Sequence, residues 1–195
     1  MNIISDKATA DRVLAALAEQ LTARGERYEL VVIGGSALQA LGLIDRPTAD
    51  VDVLALAGAS GLTGADPLPP GLAAARELVG RDFSMPTDWL NPGPTSLLDL
   101  GLPDGFMRRV VSRPYGSSLT VHFASRFDQI HFKLYATVDQ GPGRHEADLR
   151  ALDPTPVELQ EAARWARSHD PSPGFDRVLR QVLRALGVED ANHRA

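Results

Sequence analysis

An α+β fold, built on a small mixed sheet flanked by helices with a helical C-terminal part, is what the order of hydrophobic patterns predicts for these 195 residues. Two observations carry it. Up to residue 125, short β-branched runs alternate with apolar stripes at helical spacing, and beyond it the period is helical throughout. The composition, 44% hydrophobic and 23% charged, is that of an ordinary globular chain long enough to bury a proper core. The expected organisation is a sheet-bearing core over 1–125 and a helical part over 126–195 packed on it.

Each element follows from local pattern. Val13, Leu14, Leu17 and Leu21 recur at helical spacing, so 8–24 reads as a helix closed by Gly25. The run 29–33 reads as a buried strand stopped by Gly34-Gly35, after which Ser36 caps a short helix ending at Gly42. A strand follows at 50–56. Residues 57–71 are small and rich in glycine and proline, which predicts a loop, then a helix over 72–79. Prolines break every pattern across 82–105, predicting a loop or lid around Trp89, more a core anchor than a base-stacking platform. Strands are expected at 106–112 and 119–124. After Ser125, Phe127, Ile130, Leu134 and Val138 form one helical stripe, with Ser125 and Asp128 in capping-box register. Helices over 145–152, 155–168 and 175–186 complete the chain, Thr155-Pro156-Val157-Glu158 being a strong start signal and Trp165 lying on a face with Leu159 and Ala162. There is no internal repeat.

Composition removes several functions. Without cysteine there is no disulfide, thiolate zinc site or cysteine nucleophile, so a catalytic metal must be held by oxygen. A net charge of −5 argues against a sequence-blind nucleic-acid binder. The first residues lack an apolar signal core, and the weakly charged stretch 30–44 is too short to span a bilayer, which makes a cytoplasmic chain the expectation. Of 20 basic residues only Lys7 and Lys133 are lysines. Seven basic residues against four acidic ones make 105–150 locally basic, compatible with RNA docking and equally with arginines that pair within the fold. The five histidines, His122, His131, His145, His169 and His193, have no metal-ligand spacing and read as structural or exposed.

The chemistry concentrates at two neighbouring segments. Asp50 and Asp52 flank Val51, so strand alternation puts both carboxylates on one face, where they repel unless a cation lies between them. Hard oxygen ligands with open positions suit Mg²⁺, or Mn²⁺, bound together with substrate phosphates. Gly34-Gly35-Ser36, at a strand-to-helix turn, lets backbone approach a phosphate closely. Thr48 is placed to touch a nucleotide, although threonine is also ordinary strand chemistry. Taken together, a phosphate-binding turn and a metal-holding carboxylate pair make one nucleotide site.

These residues resemble a known signature. Gly34-Gly35-Ser36, a spacer of 13 residues, then Asp50-Val51-Asp52 is similar to the Gly-Ser and Asp-x-Asp motif of the DNA polymerase β-like nucleotidyltransferase superfamily. Lys133-Leu134-Tyr135-Ala136, Arg144 and Asp148-Leu149 resemble the Lys and Asp motifs of its AbiEii/MenT-like toxins. The likeness extends over about 28–56 and 119–168, and 57–118 matches nothing recognisable. It implies a polymerase β-like sheet, transfer of a nucleotide from an NTP to an acceptor such as tRNA, and restraint by a cognate antitoxin protein.

Two residues of the later motif also have plainer readings. Lys133 sits beside the apolar stripe of its helix and either meets an anion, the outer phosphates, or snorkels so that its head escapes to water. Asp148, one helical turn after Arg144, either assists catalysis or pairs that arginine, and His145 stands near where some relatives carry a second acid. The implied roles are Mg²⁺ binding by Asp50 and Asp52, nucleotide binding by Gly34, Gly35, Ser36, Thr48 and Lys133, and positioning or deprotonation of the acceptor by Asp148. Replacing Asp50 or Lys133 is expected to abolish transfer in a folded protein. Two alternatives stand beside this: an aminoglycoside- or lincosamide-type antibiotic nucleotidyltransferase, and a non-catalytic antitoxin or binding module of the same fold.

Overall fold

A computed structural model describes residues 4–188. The chain divides into two compact units, Met1–Ser125 and Arg126–Ala195.

Among the described residues the first unit holds a six-stranded mixed sheet in the order β3 (Gly61–Thr63), β2 (Val51–Gly58), β1 (Tyr28–Ile33), β6 (Leu119–Phe123), β5 (Val111–Tyr115), with β4 (Leu90–Asn91) pairing β2. Helix α1, Lys7–Arg24, starts at Asp6, whose carboxylate accepts the Thr9 N–H at 2.7 Å, and stops at Gly25, φ 69°. Strand β1, Tyr28–Ile33, pairs antiparallel with β2, Val51–Gly58, through a register shift between Val31 and Val32. On its other side β1 pairs parallel with β6, Leu119–Phe123. One sheet face carries Leu30, Val32, Val53, Val121 and Phe123, and these bury against Leu14, Leu17 and Leu21 of α1 and Leu72, Ala75 and Val79 of α3, Pro70–Asp82. Each fully buried leucine contributes roughly 2 kcal/mol.

The sheet departs from the expected elements in four places. The short helix after β1 is α2, Gly34–Ala40, so Ser36 lies in its first turn and is not its cap. Part of the expected 57–71 loop is a hairpin, β2 turning into β3, Gly61–Thr63, where Gly61 at φ 109° permits the turn. Within 82–105, β4, Leu90–Asn91, pairs parallel with β2, and a 3₁₀ turn, Gly93–Ser96, leads into α4, Leu97–Leu100. The expected strand at 106–112 begins as one helical turn, α5, Phe106–Arg109, and only then becomes β5, Val111–Tyr115. Strands of two or three residues are too short to display a period, and an apolar pair followed by two arginines fits a helical turn as well as a strand. Trp89 is the expected anchor: fully buried, it donates its indole N–H to the Arg76 carbonyl at 3.0 Å.

Among the described residues the second unit holds four helices, α6 Arg126–Gln140, α7 Arg144–Ala151, α8 Pro156–His169 and α9 Pro173–Ala185. The Thr155/Glu158 capping box that opens α8 is formed in both directions. Arg126 fastens α6 to this start, donating to Glu158 at 2.6 Å and to the Leu152 carbonyl at 2.8 Å. Trp165 stacks edge-on against Phe132, Tyr135 and His169, so its ring joins an aromatic cluster rather than the Leu159 and Ala162 face alone.

Candidate functional site

The antiparallel register of β1 and β2 sets Asp52 directly opposite Ile33, the last residue before the glycine turn. There the backbone enters the left-handed region at Gly34, φ 75°, which glycine tolerates and other residues resist. A side chain at Gly34 would collide with the Asp52 carboxylate, so the missing Cβ is what lets Oδ2 lie against the backbone. Oδ1 of Asp52 accepts a hydrogen bond from the Asn91 amide at 3.0 Å, made possible because β4 pairs Asn91 with Asp52. Val51, the first residue of β2, is buried in the core; Asp50 stands just before the strand, which begins one residue later than expected, and Asp52 lies within it, both half-buried.

Asp50 is held more loosely. The Thr48 hydroxyl reaches its Oδ1 at 3.4 Å, a long contact. Thr48 itself is fixed by backbone exchange with Ile4 in both directions, at 2.9 and 3.0 Å. Gln39 of α2 donates to the Arg46 carbonyl at 2.8 Å and the Ser5 carbonyl at 3.1 Å, tying the 45–48 loop to the glycine turn. A Cβ on Gly35 would stand 2.9 Å from the Thr48 hydroxyl and 3.4 Å from Nη2 of Arg46. Gly34, Gly35, Thr48 and the two aspartates are thus one cluster. Ser36 adds an unspent group: it is 3% exposed and its Oγ has no hydrogen-bond partner. A buried hydroxyl without a partner costs stability, which a site for an oxygen-rich ligand explains.

The donor chemistry fits a divalent cation of the magnesium type. Two carboxylates, one with a free oxygen and the other steadied by an amide, match an ion that takes one or two protein carboxylates and completes its shell with water and phosphate. Among the described residues no group of three or more His, Asp or Glu side chains could enclose a metal, so an all-protein metal cage is not what these residues build. Two clefts in the first unit, of about 520 and 410 Å³, are lined by neither aspartate. The smaller opens beside Tyr28 and Leu119, at the other end of the strands from Asp52. Charge and unspent hydrogen-bonding groups identify the site here, not enclosed volume.

The second unit brings Lys133 and Asp148 together. Lys133 Nζ lies 2.8 Å from Asp148 Oδ2, with side chains 6% and 1% exposed. This corrects one reading, the pairing of Asp148 with Arg144. Arg144 is exposed, and the carboxylate one turn on from it pairs with Lys133. The anion that Lys133 needs is supplied inside its own unit. Breaking a buried pair by removing one member typically costs about 3–5 kcal/mol, so replacing Lys133 is expected to lower stability as well as any transfer.

Several plainer expectations are also met. His122 bridges the Ser112 hydroxyl at 2.7 Å and Glu29 at 2.9 Å, His131 contacts the Phe127 carbonyl at 2.9 Å, and His145 contacts Gln140 at 3.1 Å. His193 lies outside the described residues. The basic window is largely paired within the fold: Arg126 with Glu158, Arg150 with Glu146, Lys133 with Asp148, and Arg113 with the Ala40 carbonyl at 2.7 Å. Sequence reasoning missed Asn91 and Gln39, which steady the site without touching each other; an asparagine in a two-residue strand between prolines carries no periodic signal.

A family model described as a nucleotidyltransferase of unknown function (DUF6036) matches residues 12–62. That stretch, about a quarter of the chain, contains the glycine turn, Thr48, Asp50 and Asp52, while Lys133 and Asp148 fall outside it. The match supports the nucleotidyltransferase superfamily. No curated protein and no solved structure matches the chain. Among the described residues no helix is long and apolar enough to cross a membrane.

Proposed function

We propose that this protein is an NTP-dependent nucleotidyltransferase whose reaction centre is the cluster of Gly34, Gly35, Ser36, Thr48, Asp50 and Asp52. The observation that carries the reading is the close seating of the Asp52 carboxylate against Gly34, inside the stretch similar to a nucleotidyltransferase family.

Asp50 and Asp52 would hold Mg²⁺ or Mn²⁺. Such an ion, when bound, draws charge from the phosphate oxygens and lowers the barrier to displacement. The Ser36 hydroxyl donates to a phosphate oxygen, and Gly35 gives the triphosphate access to the backbone. Asn91 keeps one Asp52 oxygen occupied, orienting the other. The acceptor hydroxyl oxygen bonds to the α-phosphorus as the bond to the bridging oxygen of pyrophosphate breaks, and the hydroxyl proton passes to solvent or a basic group. Lys133 and Asp148 are assigned to the outer phosphates and the acceptor by resemblance to the AbiEii/MenT-like toxins. With that resemblance go a tRNA acceptor, a cytoplasmic setting and an antitoxin partner.

The pairing of the basic window favours a second acceptor class. Arg113, Arg126 and Arg150 are already committed to carboxylates and carbonyls, which leaves fewer basic groups for an RNA backbone and weakens the charge argument against a small hydroxylated acceptor of the aminoglycoside or lincosamide type. A non-catalytic antitoxin or binding module is the remaining reading. Incubation with each α-labelled NTP, using total tRNA or a panel of aminoglycosides and lincosamides as acceptor, separates them. Label on tRNA supports the toxin reading, and label on a drug the antibiotic one. Label on neither, with nucleotide binding retained, replaces both by the binding module.

A further inference from the structure

We propose that Arg46 grips the outer phosphates of the NTP through a guanidinium held over the glycine turn. The inference rests on the nucleotidyltransferase reading of this site and supplies the cation that the reading needs. Asp50 and Asp52 together cancel the charge of one divalent ion, so a triphosphate arriving with that ion brings negative charge that the carboxylate-bound metal leaves unmet. Lys133, the cation named for that task by resemblance, has the Asp148 carboxylate at 2.8 Å as its counter-ion.

The geometry sets the guanidinium at the turn. A Cβ on Gly35 would stand 3.4 Å from Arg46 Nη2 and 2.9 Å from the Thr48 hydroxyl oxygen, so arginine and threonine converge on the stretch of backbone that glycine leaves bare. The same threonine hydroxyl reaches Asp50 Oδ1 at 3.4 Å, which links this spot to the carboxylate pair.

Arg46 is also fixed before any ligand arrives. Its carbonyl accepts the Gln39 amide at 2.8 Å, and its Nη1 donates to the Pro47 carbonyl at 3.1 Å, holding the guanidinium close to its own loop. The residue is half-buried, so part of it is open to solvent. Guanidinium suits the task because its planar fork of N–H donors meets two phosphate oxygens at once. Arg46 lies within the stretch 12–62 that matches the nucleotidyltransferase family model.

Inorganic tripolyphosphate, the part common to every NTP, tests this whatever the base. Calorimetry on the full chain in Mg²⁺ is expected to show saturable binding, weaker by at least about tenfold in Arg46→Met and in Arg46→Gln. The glutamine variant keeps an amide donor should the methionine variant fail to fold. Arg24→Met, the same loss of charge at an exposed position of α1, is expected to bind as the unaltered chain does. With an α-labelled NTP, the KM for nucleotide should rise by a similar factor in both Arg46 variants. No saturable binding by the unaltered chain, equal binding by the Arg46 variants, or an equal loss in Arg24→Met would overturn the proposal. Transfer that proceeds while the Arg46 variants bind tripolyphosphate undiminished strikes Arg46 alone. Arg46-dependent binding without transfer from any NTP strikes the nucleotidyltransferase reading and leaves Arg46 as a polyphosphate ligand.

Discussion

Asp50 and Asp52 in the sheet unit and Lys133 and Asp148 in the helical unit are both charged pairs singled out by one motif pattern, yet they differ in what surrounds them. The lysine and aspartate are almost wholly buried and satisfy each other at 2.8 Å. The aspartates are half-buried and of like charge; an asparagine amide donates to Asp52, and a long threonine contact reaches Asp50. The interior pair joins opposite charges, whereas the pair at the glycine turn sets like charges on one short segment, where a cation would relieve their repulsion. Closeness in a motif does not equate the two roles, and burial with partner sign separates them.

The largest expected effect comes from attacking the buried pair. Lys133→Met should lower stability by about 3–5 kcal/mol, because it removes the cation from a buried ion pair. Lys133→Met combined with Asp148→Leu should recover most of that loss, as urea unfolding of the three proteins would reveal. Equal destabilisation in the single and double variants would mean that the pair is not the unit of stability.

Gly34→Ala should cost about 2 kcal/mol, from a left-handed backbone now carrying a Cβ and from displacement of the Asp52 carboxylate. The same unfolding measurement reads it, and a neutral result would dissolve the close seating that ties the glycine turn to the carboxylates.

A smaller, pH-dependent contribution belongs to the helical unit. The hydrogen bond from Arg126, aided by the Thr155 N–H and hydroxyl, holds the Glu158 carboxyl below its usual value of 4.5, against an opposing effect of burial. A depressed folded value means that this contribution is present above pH 4.5 and lost as the pH falls through the folded value. Acid titration of stability should therefore be shallower in Glu158→Gln. Identical curves would show that the Arg126–Glu158 contact carries no linkage. The smallest stability effect is expected at the aspartates: Asp50→Asn should shift the unfolding midpoint little, and upward if at all, because it removes like-charge repulsion.

Much of this contrast could be read from the chain itself. Glycine at a strand end and carboxylates at i and i+2 are local patterns, so Gly34, Asp50 and Asp52 were found where strand geometry demands. Helix stripes and the Thr155/Glu158 capping box are local in the same sense. The partner of Lys133 was not legible: Asp148 lies on the next helix, beyond the Gly141-Pro142-Gly143 turn, and i, i+4 reasoning favours Arg144 instead. Asn91 was hidden because a strand of two residues shows neither period nor turn signal. The position of Ser36 within α2 is not legible because a hydroxyl near a glycine turn looks like a cap, whereas the helix runs from Gly34 with Ile33 at its cap position.

Transfer of label from an α-labelled NTP, compared between the unaltered chain and Asp50→Asn with Mg²⁺ present and both proteins shown to be folded, tests the central claim most directly. The expected result is label on an acceptor with the unaltered chain and a rate lower by about 1000-fold in the variant. Equal transfer by both proteins, or none by the unaltered chain with any NTP and acceptor, would contradict it.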